Sequence, residues 1–178
     1  MEALYSVNSK SRPSIWDTGT KYKKGPTCQL CGRSESIILT LGATFPTWRK
    51  SFGIVQALGG YVVSREGFEY LKNNNIVHFE IVDLSIQFGR RDSSGEEYIA
   101  LLPNKLVEIE NGIGPIVCNK CGISVWREDD WQIHKIKGDV PADIFRIKNS
   151  WHDLATEHFI KVVKNIPGGC YLDFIKWN

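Results

Sequence analysis

Long apolar runs are missing from this chain. None approaches the roughly 18 residues of a membrane-spanning helix, which argues against a helical membrane protein. The opening Met-Glu-Ala-Leu-Tyr-Ser has no basic start followed by an apolar block, so no signal peptide is expected. Charge of one sign is missing too. Lys and Arg number 22 against 20 Asp and Glu, a net +2 that is too small to call for nucleic acid. The nearest approach to a basic run, Lys21-Tyr22-Lys23-Lys24, is short and reads as a solvated loop. No G-x-S-x-G, P-loop, G-x-G-x-x-G or H-E-x-x-H is present. His134, His152 and His158 are scattered, and His158 reads as a surface residue of a helix. No enzymatic activity is expected. Cysteine is scarce and odd in number, at five. That fits a reducing compartment better than a disulfide scaffold and points to the cytoplasm.

What is present is ordinary globular composition, 42% hydrophobic and 24% charged over 178 residues, which suits a single domain over 1–178. Against this background four of the five cysteines form a matched pair of motifs. Cys28-Gln29-Leu30-Cys31-Gly32 and Cys118-Asn119-Lys120-Cys121-Gly122 are each C-x-x-C followed by glycine. A two-residue gap lets both sulfurs of a turn point at one ion. The trailing glycine suits a backbone position with φ > 0, where the chain curls round the metal. Four thiolates complete a tetrahedral zinc site and leave no position open, so Cys28, Cys31, Cys118 and Cys121 are expected to hold a structural Zn²⁺. The stretch between the pairs is far longer than the roughly 15–20 residues of compact ribbons. The fifth cysteine, Cys170, stands alone in a hydrophobic segment and reads as a small buried side chain.

Three other readings of the cysteines compete. A redox role for the C-x-x-C pairs would want a βαβ context that is missing. A zinc-ribbon nucleic-acid binder uses the same knuckles, against the weak net charge. A zinc deaminase would use H-x-E with a later P-C-x-x-C, and His78-Phe79-Glu80 precedes Cys118-x-x-Cys121. Here, however, H-x-E lies in an apparent strand, Pro115 is not adjacent to Cys118, and Cys28 and Cys31 are left without a purpose. One further stretch fits a partner surface. Trp126-Arg127-Glu128-Asp129-Asp130-Trp131 sets Trp126 and Trp131 around Glu128, Asp129 and Asp130. Trp and Arg are frequent interface anchors, and acids steer a basic partner. The competing explanation is that these tryptophans cover the knuckle or the core.

The rest of the chain reads as α+β: antiparallel sheet with short helices. Residues 1–27 read as strand or loop. Ile37 to Leu41 reads as a strand closed by Gly42, and residues 43–60 as loops with one helical turn. Tyr61-Val62-Val63 is a strand. Ser64 caps a helix through Lys72 with Phe68 and Leu71 on its apolar face, and Asn73-Asn74-Asn75 stops it. Strand Ile76 to Phe88 follows, its alternation broken near Val82-Asp83 as at a bulge. A turn at Asp92-Ser93-Ser94-Gly95 leads to strand Tyr98 to Leu102, a hairpin. Later, Asp143 to Ile147 reads as a strand. Thr156 caps a helix bearing Phe159, Ile160 and Val163, Asn165 to Gly169 breaks it, and Cys170 to Ile175 is the last strand. These two strand–helix–strand units are a diverged duplication or common α+β grammar.

With both C-x-x-C-G motifs in view, the chain resembles the bacterial double-CXXCG motif family. The resemblance also takes in Val63-Ser64-Arg65-Glu66-Gly67-Phe68-Glu69-Tyr70-Leu71 and the stretch from Asp143-Ile144-Phe145-Arg146-Ile147 through Thr156-Glu157-His158-Phe159 to Phe174. The ending Pro167-Gly168-Gly169-Cys170-Tyr171-Leu172-Asp173-Phe174 departs from that family's Gly-x-x-Gly-Val-x-Phe type. Members are described as immunity proteins that neutralise cognate polymorphic toxins. The resemblance therefore implies an antitoxin whose partner is a toxin protein, with no catalysis.

Overall fold

In a computed structural model the described residues form one twelve-stranded sheet, two small two-stranded sheets and two helices. The structure describes residues 3–9, 19–32, 34, 36–45, 52–57, 59–88, 91–92, 97–110, 116–121, 124–125, 135–148 and 152–177. For 88, 91–92, 110, 116–117, 124–125 and 135 it describes the backbone alone. In chain order the elements are β1 (Leu4–Ser9), β2 (Lys21–Lys24), β3 (Ser36–Phe45), β4 (Ile54–Ala57), β5 (Gly60–Ser64), α1 (Arg65–Asn73), β6 (Phe79–Phe88), β7 (Arg91–Asp92), β8 (Tyr98–Pro103), β9 (Leu106–Val107), β10 (Ile109–Glu110), β11 (Ile116–Val117), β12 (Ser124–Val125), β13 (Lys135–Ile136), β14 (Ile144–Ile147), β15 (Asp153–Thr156), α2 (Glu157–Lys164) and β16 (Cys170–Trp177). No helix among the described residues is long and apolar enough to cross a membrane.

The class is α+β, but the sheet is mixed, which corrects the antiparallel expectation. Its strand order is β2-β3-β6-β8-β5-β4-β16-β1-β15-β14-β9, with β7 on β6. The pairs β3·β6, β4·β16 and β9·β14 are parallel. The helices likewise set strands parallel across an intervening neighbour. α1 carries the chain back between β5 and β6, which both run antiparallel to β8 between them. α2 does the same between β15 and β16, with β1 between them. A crossover of this kind makes its two strands parallel, which a tight hairpin does not allow. Each unit also begins with a hairpin, β4–β5 and β14–β15, so the two share a topology as well as a capping pattern.

Part of the sheet curls back on itself. Laid flat, the run β8-β5-β4-β16-β1-β15-β14-β9 would hold its ends about 34 Å apart at about 4.8 Å per strand. Yet Asn104 and Lys105 alone separate Pro103, the end of β8, from Leu106, the start of β9. Three Cα steps reach at most about 11 Å. The run must therefore bend round until β9 returns beside the end of β8, an open barrel with no strand pairing across that seam among the described residues. Alternate residues face its inside: Ile54, Tyr61, Val63, Leu101, Ile144, Ala155 and Leu172. There they meet Leu71 of α1 and Phe159, Val162 and Val163 of α2. Both helices are too short to persist alone in water and depend on this contact.

A buried ionic bridge spans the barrel near its seam. The Arg146 guanidinium holds both Asp153 oxygens, Nε at 2.7 Å and Nη2 at 3.1 Å, and Nη2 also donates to the Gly59 carbonyl at 2.9 Å. Tyr61 donates its hydroxyl to Asp153 at 2.9 Å. Burial first, and then the Asp153 charge, push the Tyr61 pKa well above the usual tyrosine value, so it stays a donor. Asp153 is 1% exposed, and its carboxylate is tolerable there because three donors meet it, Arg146 Nε and Nη2 and the Tyr61 hydroxyl. In the sheet order β4, β16 and β1 lie between β5 and this pair of strands.

The remaining strands form a wing on the far edge of β8: β6, β3 and β2. It curls in the opposite sense, over a second apolar cluster. Ile38, Leu41, Ala43, Phe45 and Ile86 of the wing meet Val55, Val62, Ala100 and Leu102 on the outer face of the barrel strands. Strands β4, β5 and β8 are thus buried on both faces, which is why they read as near-continuous apolar runs. Phe52 anchors this cluster, stacked on Tyr98 with centroids 4.6 Å apart. Its neighbour Gly53 lets two backbones touch, since a Cβ there would collide with the Pro167 carbonyl.

Several local expectations change. Lys21–Lys24 is strand β2, not a loop, because its hydrogen bonds go to β3. β3 runs on through Gly42 to Phe45, since its ladder with β6 continues there. Residues 54–57 form β4 within the stretch read as loop, and residues 153–156 form β15. β6 begins at Phe79 and shows no bulge at Val82. It hands over there from β8, which it pairs over 79–82, to β3, which it pairs from 83. The β6·β8 hairpin expected from the sequence is present, while residues 93–96 of its turn lie outside the described residues.

Candidate metal centre

The two C-x-x-C motifs fold as hairpin tips. β2 and β3 pair antiparallel with residues 28–31 in the turn between them. β11 and β12 pair antiparallel through Val117 and Ser124, with residues 118–121 in their turn. Within the first tip the Gly32 N–H donates to the Cys28 carbonyl at 2.8 Å, and Gly32 adopts φ +70°. A Cβ at Gly32 would meet nothing within 4 Å, so the backbone angle, not space, asks for glycine. Gly122 lies outside the described residues.

Each tip prepares its first cysteine as a thiolate. The N–H groups of Cys31 and then Leu30 point at the Cys28 sulfur and hold its pKa down to about 6, against the opposing effect of burial. The N–H groups of Cys121 and then Lys120 lower Cys118 in the same way. Donors aimed at sulfur favour the charged form. Metal ligation needs that form, so a proton to be displaced is already loosely held.

The structure brings all four sequence-predicted ligands together. The sulfurs of Cys28, Cys31, Cys118 and Cys121 lie within 4.8 Å of one another. Across the hairpins Cys28 and Cys118 are 3.8 Å apart, and Cys31 and Cys121 3.6 Å. A tetrahedron with metal–sulfur bonds of about 2.3 Å has edges of about 3.8 Å, so the spacing fits a four-thiolate metal ion. Cys28 and Cys118 are buried, Cys31 is partly buried and Cys121 is exposed. Lys120 reaches back to Gln29 of the other tip at 3.4 Å.

The other candidates fall elsewhere. His78 and Glu80 are not in the sulfur cluster, which is the metal-competent group among the described residues. Cys170 sits partly buried in β16. Trp126, Glu128, Asp129, Asp130 and Trp131 lie outside the described residues. One polar cluster escaped the sequence reading. Asp143 lies just before β14. Its carboxylate accepts from the Thr156 hydroxyl at 2.8 Å and pairs with His158 Nδ1 at 2.9 Å, while Thr156 caps α2 by accepting from the Phe159 N–H. The signal for it was the capping threonine, but its partner is 13 positions away. A scan of protein-family models returned no match, and a search of curated proteins returned none.

Proposed function

We propose that this chain is an immunity protein that binds and neutralises a cognate bacterial toxin, with a structural Zn²⁺ stapling its two cysteine hairpins. The observation that carries this reading is the meeting of two C-x-x-C-G tips whose paired cysteines stand 90 positions apart. The two motifs, together with Val63 to Leu71 and the stretch from Asp143 to Phe174, are what the resemblance to toxin-neutralising proteins rests on. Four thiolates leave no coordination place for a water or a substrate, which supports a staple over a zinc hydrolase. Zinc would hold the β11–β12 ribbon against β2–β3 and would do no chemistry. Thiolate ligation suits a reducing cytoplasm.

The test is co-expression with the toxin encoded beside the gene. Rescue of growth, with a complex that survives gel filtration, is the expected result; loss of both would overturn the reading. The proposed contact stretch is Trp126 to Trp131. Reversing the charges of Glu128, Asp129 and Asp130 should slow association, and an unchanged on-rate would remove that site. A zinc-ribbon nucleic-acid binder is the second reading. It draws on the exposed Lys21, Lys23 and Lys24 of β2, next to the first tip. It requires binding that falls steeply with salt, and no binding at low salt removes it.

A further inference from the structure

The four sulfurs divide into two unlike pairs, and each pair crosses from one hairpin to the other. The inner pair, Cys28 and Cys118, is buried with its sulfurs 3.8 Å apart. The outer pair, Cys31 and Cys121, is more open to solvent and closer still, at 3.6 Å. A disulfide within one C-x-x-C would tie a hairpin to itself and free the ribbon from the wing. A disulfide across the tips would keep the ribbon where the metal holds it.

We propose that Cys31 and Cys121 form an oxidative modification site, which a peroxide converts to a cross-hairpin disulfide that replaces the metal as the staple. The inner pair has the lowered pKa values but is buried, whereas a peroxide arriving from solvent meets Cys31 and Cys121 first, so access sets the order and the outer pair reacts before the inner one. One thiolate attacks a peroxide oxygen, the O–O bond breaks, and a sulfenic acid and one water result. The second thiolate attacks that sulfur, the S–S bond forms, and the oxygen leaves as a second water. Two sulfurs lose two electrons in total and the peroxide gains them; the protons come from the thiols, or from solvent where the sulfurs were metal-bound. A metal ion present then loses two of four ligands and is released. Closing the bond moves the sulfurs from 3.6 Å to about 2.05 Å. The resulting link spans 90 residues, and such a loop restrains the unfolded chain far more than the short loop within a knuckle.

The inference draws on the metal reading for ion release alone, because the sulfur pairing holds for free thiols. The full-length chain, zinc-loaded and separately chelator-stripped, is treated with one equivalent of hydrogen peroxide, alkylated and peptide-mapped. The expected first product in both is Cys31–Cys121, with about one zinc released per disulfide in the loaded sample. Amides of 116–121 should then keep their protection against exchange in chelator, and Cys31→Ser should lose that protection under the same treatment. First products within Cys28–Cys31 or Cys118–Cys121, or sulfinic acids without a cross-link, would overturn the proposal. A chain that binds no zinc yet forms Cys31–Cys121 keeps this inference and loses the metal. A chain that binds zinc yet oxidises within its knuckles does the reverse.

Discussion

The barrel and the wing are parts of one sheet held by different means. In the barrel, β8 runs on into β9, so the chain itself ties the two ends of the curved run together. Its inner face is filled by two helices, and Arg146, Asp153 and Tyr61 bridge across it. The wing ends in the open. It covers one face against the barrel, while Ile37, Leu39 and Ile81 stay 58%, 50% and 59% exposed. Its last strand, β2, carries three exposed lysines, a composition that discourages further strand pairing. At its tip the four sulfurs join it to a ribbon of two-residue strands. The barrel run secures itself by chain continuity, whereas the open wing needs a staple. The metal centre is therefore expected to matter for the wing and little for the barrel.

The sharpest way to break that contrast is Asp153→Ala, which strands Arg146 in the barrel. We expect a global loss of about 3–5 kcal/mol in denaturant unfolding. A loss below about 1 kcal/mol would mean that the barrel does not depend on the bridge. Next come Cys28→Ser and Cys118→Ser. Each should weaken zinc binding at least about 100-fold, judged from the smaller losses that outer-shell changes cause, and the two should match because both break one site. Hydrogen exchange should quicken in 21–24 and 116–121 and stay slow in 153–163; an equal rise in both regions would erase the distinction between wing and barrel. Metal analysis should find about one zinc per chain.

Capping gives a smaller effect. Thr156→Ala should cost about 1–2 kcal/mol and Ser64→Ala about 1 or less. The Thr156 hydroxyl also donates to Asp143, whereas among the described residues the Ser64 hydroxyl is seen to accept from the Gly67 N–H alone. Equal values in thermal melts would show that the Asp143 contact adds nothing. The smallest effect concerns pH. The Cys28 pKa is about 6 in the folded chain, against an ordinary value of 9.0. A lowered folded pKa means that the unfolded chain holds the extra proton between those values, so stability rises with pH there. The metal-free wing should be steadiest above about pH 9 and lose that contribution as pH falls through about 6. Wing protection that is flat over this range would remove the N–H···S account.

The local grammar was legible where one residue suffices to impose it. Ser64 and Thr156 cap because a hydroxyl meets an N–H three residues on. Asn75 takes φ +62° where the asparagine run stops α1. Among the strands that went unread, β2, β4 and β15 are only four residues long, and β4 and β15 each need a partner distant in the chain, β16 and β1. Gly42 looked like a stop because glycine weakens an isolated strand, yet in β3 it is paired with Ser85.

By itself the sequence determined the candidate ligand set, Cys28, Cys31, Cys118 and Cys121. Two short motifs of the same C-x-x-C spacing can each offer two sulfurs wherever they stand, because that spacing along the chain is a local property. Tertiary structure alone decided which sulfurs touch across the hairpins, that parallel pairs enter the sheet, and that it curls until β9 returns beside the end of β8. Those facts depend on which distant segments share a hydrogen-bond ladder, and no residue carries a record of its partner.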